Sequence, residues 1–370
     1  MNKTEQNSSS SITISLCIIV KNEAATIERC LRSVENATDE IIVIDTGSTD
    51  QTKEIVRQFT DKIYDFPWID DFAAARNFAF SHASQEYILW LDADDVLLPN
   101  DLQKLLLLKQ NADGSVDSYT MNYNVSFDES GNVVSTLGRN RLVKRSNHFQ
   151  WIGPVHECLA VGGKIANTDI SVTHKKENHN TYDRNLIIYE NRLAKGENFS
   201  PRDLYYYANE LKDHQRYEKA IEYYQKALET QLCWVEDNIS ACGKLADCYS
   251  ALGDDQNKLK YTYLSFNYDT PRAEFCCRLG YHFLGLKKYQ QAIFWYTLAI
   301  NLQKPQDPLA MLNNSCWTWL PHIQLCVCYS NIGEVQLAIE HNKIAETYIP
   351  NHPSILHNNR YFAQILSASS

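Results

Sequence analysis

The segment EYILWLDADD, residues 86–95, runs an apolar stretch into three carboxylates, Asp92, Asp94 and Asp95. In an extended segment alternate side chains share a side, so Asp92 and Asp94 are expected to project together and Asp95 to point away. Two carboxylates at that range repel unless a cation lies between them or one takes up a proton. An oxygen-rich, thiol-free donor set suits Mg2+ or Mn2+, which use one or two carboxylates and complete their shell with phosphate oxygens and water. The chemistry on offer is a divalent ion, held by Asp94 and Asp92, that neutralises a diphosphate. His174, at the end of the segment ISVTH, is a candidate third ligand, its rival role being a hydrogen-bonded structural imidazole. In a chain with 45 acidic residues an isolated D-x-D also describes a solvated loop, so its place in the fold decides.

That place is read from the elements before it. Residues 12–20, ITISLCIIV, form a β-branched run of the kind found in a parallel sheet buried on both faces. Asn22 is a good helix cap, and Ile27, Cys30, Leu31 and Val34 lay one apolar stripe along a helix. The unit repeats: EIIVID is a second strand, Gly47 permits a tight turn, and Ser48 with Gln51 resembles a capping box opening a helix over 50–59. KIYDF is a third strand, DDFAAARNFAFSHA a helix and YILWLDADD a fourth strand. Alternating strands and helices imply a parallel α/β sheet with right-handed crossovers. Ligands of such sheets bind outside the carboxyl ends of the strands, where Asp45 and Asp92 both stand. After residue 117 the pattern changes to antiparallel strands flanking the turn DESGN, expected to cover and shape the site.

Bulk properties narrow the partners. The 370 residues suffice for two domains, and a net charge of −10 with no dense Lys/Arg run argues against nucleic acid. The polar start MNKTEQNSSS and the lack of a long apolar run predict neither a signal peptide nor a spanning helix, hence a cytoplasmic protein. Eleven cysteines, an odd number without a C-x-x-C pair, read as buried thiols.

Beyond about residue 181 the strand signals stop. Aligning residues 204–229 with 273–300 places Ala220 on Ala292, Tyr224 on Tyr296 and Ala227 on Ala299. Two looser copies keep Leu245, Ala246, Tyr249 and Gly253, and then Tyr329, Gly333, Ala338, Ala345 and Pro350. The pattern resembles tetratricopeptide repeats, helix pairs of ~34 residues in which small residues let helices approach. A plain helical bundle is the alternative. Stacked pairs form a surface that holds extended peptides, which points to a polypeptide acceptor or partner, with dimerisation as the other use.

Four stretches, SLCIIVKNEAATIERCLRSV, EIIVIDTGSTDQT, WIDDFAAARNFAF and YILWLDADD, together resemble the opening blocks of family 2 glycosyltransferases with the GT-A fold, in order and spacing. RNRLVKRSNHFQWIGPVHECL is similar to the variant of that family with a tetratricopeptide tail. The two-part layout resembles bacterial peptide S- and O-glycosyltransferases of glycosylated bacteriocins.

The resemblance implies a fold class of α/β plus all-α: a GT-A domain over 12–180 after a disordered tail, a linker helix over 181–200, and a repeat domain over 201–370. It implies a nucleotide-sugar donor, UDP-glucose or related, with Asp45 contacting base or ribose and Val20, Asn22 and Glu23 framing the base. Arg76 would lie near the uracil or diphosphate, its rival role being a surface ion pair with Asp70 or Asp71. Asp92 and the adjacent Ala93 would contact the ribose or a metal-bound water, and Asp94 would ligate the metal. The family's usual Glu-Asp base pair has no clear copy. Glu157 in GPVHECL is the best substitute as general base, with His156 orienting the acceptor or contacting phosphate, and Asp95 completes the catalytic candidates. A zinc-protease H-E-x-x-H fails because position 160 is Ala160.

The implied reaction is an inverting displacement at the anomeric carbon, with a Cys or Ser/Thr side chain of a peptide, such as a bacteriocin precursor, as acceptor. A cell-envelope saccharide acceptor with a partner docked on the repeats, and an inactive transferase fold used as a scaffold, are the alternatives.

Overall fold

A computed structural model describes residues 11–112, 114–127, 133–175, 183–305 and 312–368. Contacts divide the chain into two units, Met1–Glu197 and Asn198–Ser370.

The first unit opens with β1 (Ile14–Val20), α1 (Ile27–Val34), β2 (Glu40–Asp45), α2 (Thr52–Val56), β3 (Ile63–Asp65), α3 (Phe72–His82) and β4 (Tyr87–Trp90). It continues with β5 (Asp95–Leu97), α4 (Pro99–Asn111), β6 (Ser118–Phe127), β7 (Val133–Lys144), β8 (Gln150–Ile152), β9 (Cys158–Ala160), β10 (Ile165–His174) and α5 (Arg184–Ala194). An eight-stranded sheet takes the order β3-β2-β1-β4-β7-β6-β10-β5. β1 pairs in parallel with β2 and β4, and β2 with β3, which is the crossover series legible in the sequence. β7 then runs antiparallel to β4 and to β6, so the strands expected as a cover instead widen the same sheet. The DESGN turn lies outside the described residues.

β1 is apolar apart from Ser15, whose hydroxyl bonds Glu40, because both its faces are buried. Leu16 and Ile18 pack with Ile27, Cys30, Leu31 and Val34 of α1 and Leu105 of α4. Cys17 faces the other layer with Ile42, Ile44 and Ile88 and with Ala73, Ala79 and Phe80 of α3.

Two local expectations differ. Asn22 does not cap α1; it takes φ 57°, which asparagine tolerates better than most residues, and its Oδ1 accepts the Thr49 N–H at 2.7 Å. Ser48 forms no capping box, because its hydroxyl accepts the Asn22 N–H at 2.9 Å while Asp50 Oδ1 takes the Thr52 N–H at 3.0 Å. Polar residues read as helix starters thus staple the loops after β1 and β2 to one another.

The second unit pairs α6 (Pro201–Asp213) with α7 (Tyr217–Glu229), α8 (Val235–Ala251) with α9 (Asp255–Leu264), α10 (Ala273–Gly285) with α11 (Tyr289–Asn301), and α12 (Trp319–Asn331) with α13 (Val335–Tyr348), before α14 (Pro353–Ala368). The aligned residues Ala220, Tyr224, Ala227, Ala292, Tyr296 and Ala299 are all buried. Gly280 is required where α10 meets α11, since a Cβ there would stand 2.7 Å from the Tyr296 ring. No disulfide joins the eleven cysteines, nine of which are buried.

α12 and α13 also meet through two imidazoles, His322 Nδ1 and His341 Nδ1 lying 2.8 Å apart, with His341 stacked on Tyr329. That contact holds a single proton. Burial and the facing His341 push His322 down to about 4, and burial lowers His341 against the opposing pull of Glu340. A histidine depressed on folding contributes stability above its free value near 6.5, lost as pH falls towards the folded value. The melting temperature is therefore expected to drop between pH 7 and pH 5, on the order of 1–2 kcal/mol in stability. His322→Gln should flatten that pH dependence in thermal melts; an unchanged slope would refute the pair's role.

Candidate active site

The carboxyl ends of β1, β2 and β4 open into a cavity of about 660 Å³, a size suited to a small-molecule ligand. One wall is Ile19, Val20, Lys21, Asn22, Glu23 and Thr46, the floor is Asp92, Ala93, Asp94 and His174, and the far side carries Val155, His156 and Glu157 with Trp68, Phe72, Arg76, Arg184 and Asn185.

The floor is built by a turn. β4 stops at Trp90, and the Asp95 N–H returns to the Asp92 carbonyl at 3.0 Å before β5 begins at Asp95. The alternation expected of an extended segment therefore fails between Asp92 and Asp95. β5 pairs antiparallel with β10, and that register sets His174 opposite Asp95. His174 Nδ1 lies 3.5 Å from Asp94 Oδ1, 3.6 Å from Asp95 Oδ1 and 2.9 Å from the Tyr123 hydroxyl. Among the described residues, the ligand atoms that gather within 4.8 Å of one another belong to Asp94, Asp95 and His174.

The side-chain directions differ from the expected alternation at two positions. Asp95 points into the cluster rather than away, and Asp92 leaves it because its Oδ1 accepts Nη2 of Arg76 at 2.7 Å. Asp95 is fully buried: its Oδ2 pairs with Arg141 at 3.0 Å and accepts the Asp92 N–H at 3.0 Å, while its Oδ1 has no hydrogen-bond donor.

The neighbouring carboxylates, Asp94 first and then Asp95, raise His174 to about 10; a divalent ion bound there would take that proton's place, because only the neutral imidazole ligates a metal. A buried carboxylate oxygen without a donor, a second carboxylate and an imidazole within reach make a donor set that fits a hard divalent ion.

Arg76 is 8% exposed and gives Nε to Glu157 at 2.6 Å and Nη2 to Asp92. Burial raises the Asp92 carboxyl, but the charges of Arg76 and Arg141 outweigh it and hold the group low. The alternative surface pair of Arg76 with Asp70 or Asp71 is absent: Asp70 accepts the Trp68 indole N–H at 2.9 Å, and Asp71 caps α3 through the Ala74 N–H at 2.8 Å. Asp45 is buried beside the cavity, which Thr46 lines instead. Its Oδ1 accepts the Gly47 and Ser48 N–H groups, each at 2.9 Å, and its Oδ2 has no donor among the described residues.

Sequence reasoning missed several contributors. Trp68 and Phe72 sat inside a quoted block without a role, and Arg184 with Asn185 begins a helix read only as a linker. Arg141 and Tyr123 lay within plain strand patterns. A lone arginine at an inward strand position was the one signal that could have marked Arg141.

Fold and site together define an α/β domain of GT-A type with a cavity at the carboxyl ends of its strands, followed by helical repeats. Residues 15–159 match the model of glycosyl transferase family 2, and residues 205–231 and 273–305 match tetratricopeptide repeat models, so the chain carries a family 2 glycosyltransferase domain joined to such repeats. It is 29% identical over 235 residues to the SPbeta prophage-derived glycosyltransferase SunS of Bacillus subtilis, covering 58% of this chain and 53% of that one. A TPR repeat-containing protein of Synechococcus elongatus is 48% identical over 85 residues, 23% of this chain and 21% of that one. The chain thus spans about half or less of the length of these curated relatives. S. aureus TarS 1–349 in complex with UDP-GlcNAc aligns with a TM-score of 0.35 and 15% identity, covering 69% of this chain and 91% of that one.

Proposed function

We propose that the chain transfers a hexose from a UDP-sugar to a Cys or Ser/Thr side chain of a peptide, a bacteriocin precursor being the acceptor of choice, with inversion at the anomeric carbon. The observation that carries this reading is the Asp94–Asp95–His174 cluster in a family 2 domain, with Asp94 and His174 lining the cavity and Asp95 buried directly behind them.

Val20, Asn22 and Glu23 frame the base, and Asp45, buried behind the cavity-lining Thr46 with its Oδ2 lacking a donor, is the residue for a base or ribose contact. Asp94, Asp95 and His174 hold Mg2+ or Mn2+, which when bound supplies positive charge to the departing diphosphate. Ala93 leaves room above the floor, and Asp92 is held towards the donor by Arg76. The bond from anomeric carbon to diphosphate oxygen breaks as the acceptor sulfur or oxygen bonds to that carbon. Glu157 takes the acceptor's proton, and His156 beside it orients the acceptor. A cysteine acceptor, partly thiolate near neutral pH, asks less of Glu157 than a hydroxyl does. The repeats hold the peptide, and the reduced cysteines favour the cytoplasm as the compartment.

With Mn2+ and UDP-glucose, the purified chain should release UDP slowly without acceptor, and a co-expressed precursor should gain hexose mass by mass spectrometry. No UDP release from any UDP-sugar would leave a scaffold. Release with transfer only to a saccharide would move the acceptor to the cell envelope.

A further inference from the structure

Behind the cavity wall runs an unbroken chain of ring and guanidinium contacts. The Arg76 guanidinium carbon lies 4.8 Å from the Trp151 ring centroid and 5.0 Å from that of Trp90. The Arg141 carbon lies 3.8 Å from the Trp90 centroid and 4.5 Å from that of Tyr123, whose hydroxyl reaches His174. The rings come from β8, β4 and β6 and the cations from α3 and β7. Of these five side chains Arg76 alone lines the cavity.

Three carboxylates of the site, Glu157, Asp92 and Asp95, are bonded to this chain of contacts. Arg76 carries Glu157 on Nε and Asp92 on Nη2, and Arg141 carries Asp95. Asp92 follows β4, whereas Glu157 sits between β8 and β9, which form a separate two-stranded sheet. No strand pairing sets the distance between those two carboxylates. One planar guanidinium does, because two donors of a rigid fork fix both acceptors. Its own position is fixed in turn by the two indoles and by α3, which is tied to the β8 hairpin through Asn77 on both backbone groups of Trp151, at 3.0 and 2.8 Å.

We propose that Trp151, Arg76, Trp90, Arg141 and Tyr123 form one positioning device, in which Arg76 acts through Glu157 and Asp92 rather than on the donor. The device sets the span between the diphosphate side and the proton-accepting side of the cavity. The inference rests on the glycosyltransferase reading above.

Arg76→Ala tests it. Turnover should fall by about 10²-fold, the usual cost of misplacing a reacting group by an ångström, while the Kd for UDP changes by less than about threefold. Millimolar guanidinium should restore at least part of that turnover, and methylammonium, which lacks the fork, should not. Trp90→Phe, which touches no cavity, should lower kcat with KM for the donor unchanged.

A loss of UDP affinity matching the loss of activity would make Arg76 a donor ligand and overturn the proposal, as would full activity or equal rescue by methylammonium. Should the wild type transfer no sugar, the glycosyltransferase reading fails, and the crystal structure of Arg76→Ala still decides the device. Glu157 displaced from the cavity wall in a retained fold supports it; Glu157 unmoved overturns it.

Discussion

Asp94→Ala is expected to lower turnover by about 10²–10³-fold, the range seen when one group that stabilises developing negative charge is removed. The melting temperature should hardly move. The Asp94 side chain is 21% exposed, its contact being His174 at 3.5 Å, and the backbone bond from the Lys175 N–H to the Asp94 carbonyl survives the change. Asp95→Ala should behave differently although the two residues are adjacent. Asp95 is fully buried against Arg141, and removing one partner of a buried pair costs about 3–5 kcal/mol because the other charge is left uncompensated. Turnover and Mn2+ affinity fall in both variants, but only Asp95→Ala should also melt early. Paired thermal melts and Mn2+ titrations by electron paramagnetic resonance separate the two. Equal melting temperatures would contradict the assignment of Asp95 as both cluster member and buried anchor.

The second large effect is expected in the repeats. Arg272, 7% exposed, grips Glu236 through two bonds of 2.6 and 2.7 Å and reaches Asp269 at 3.0 Å. Hydrogen bonding to Glu236 outweighs burial and strengthens the guanidinium's hold on its proton. Arg272→Met would leave Glu236 buried at the start of α8 without its cation, a loss of about 3–5 kcal/mol. Replacing both residues, Arg272→Met with Glu236→Leu, should recover most of that stability, since a well-packed apolar pair is often as stable as the ion pair it replaces. Urea melts of the single and double variants check the prediction. A double variant as unstable as the single one would show that the pair matters through more than its charge.

These expectations draw on parts of the chain that differ in how far the sequence discloses them. The fold class was legible because periodicity survives folding: the β-branched run over 12–20 became β1, and the Ile27, Cys30, Leu31, Val34 stripe became the buried face of α1. The repeats were legible for the same reason, Ala220 and Ala292 occupying equivalent buried places. The carboxylates were located, but not their directions. Alternation applies while a segment is extended, and a turn with Ala93 and Asp94 between Asp92 and Asp95 moved Asp92 out of the cluster and Asp95 into it.

Asn22 and Ser48 misled because short polar side chains that cap helices also bond to loops, and here they did the latter. Arg76 was visible, yet its partners were long-range: Glu157 lies 81 positions away, which no local pattern encodes. Arg141 was hidden for a related reason, its burial depending on Asp95, Trp90 and Tyr123 arriving from three other strands.

The central claim is that Asp94, Asp95 and His174 hold a divalent ion beneath the nucleotide's diphosphate. Crystals of the protein grown with Mn2+ and UDP, measured for anomalous scattering at the manganese edge, test it directly. The account predicts one strong peak within about 2–2.5 Å of an oxygen of Asp94, an oxygen of Asp95 and a His174 nitrogen, bridged to the diphosphate. UDP bound in the cavity with no manganese at those three side chains, or manganese held elsewhere, would contradict it.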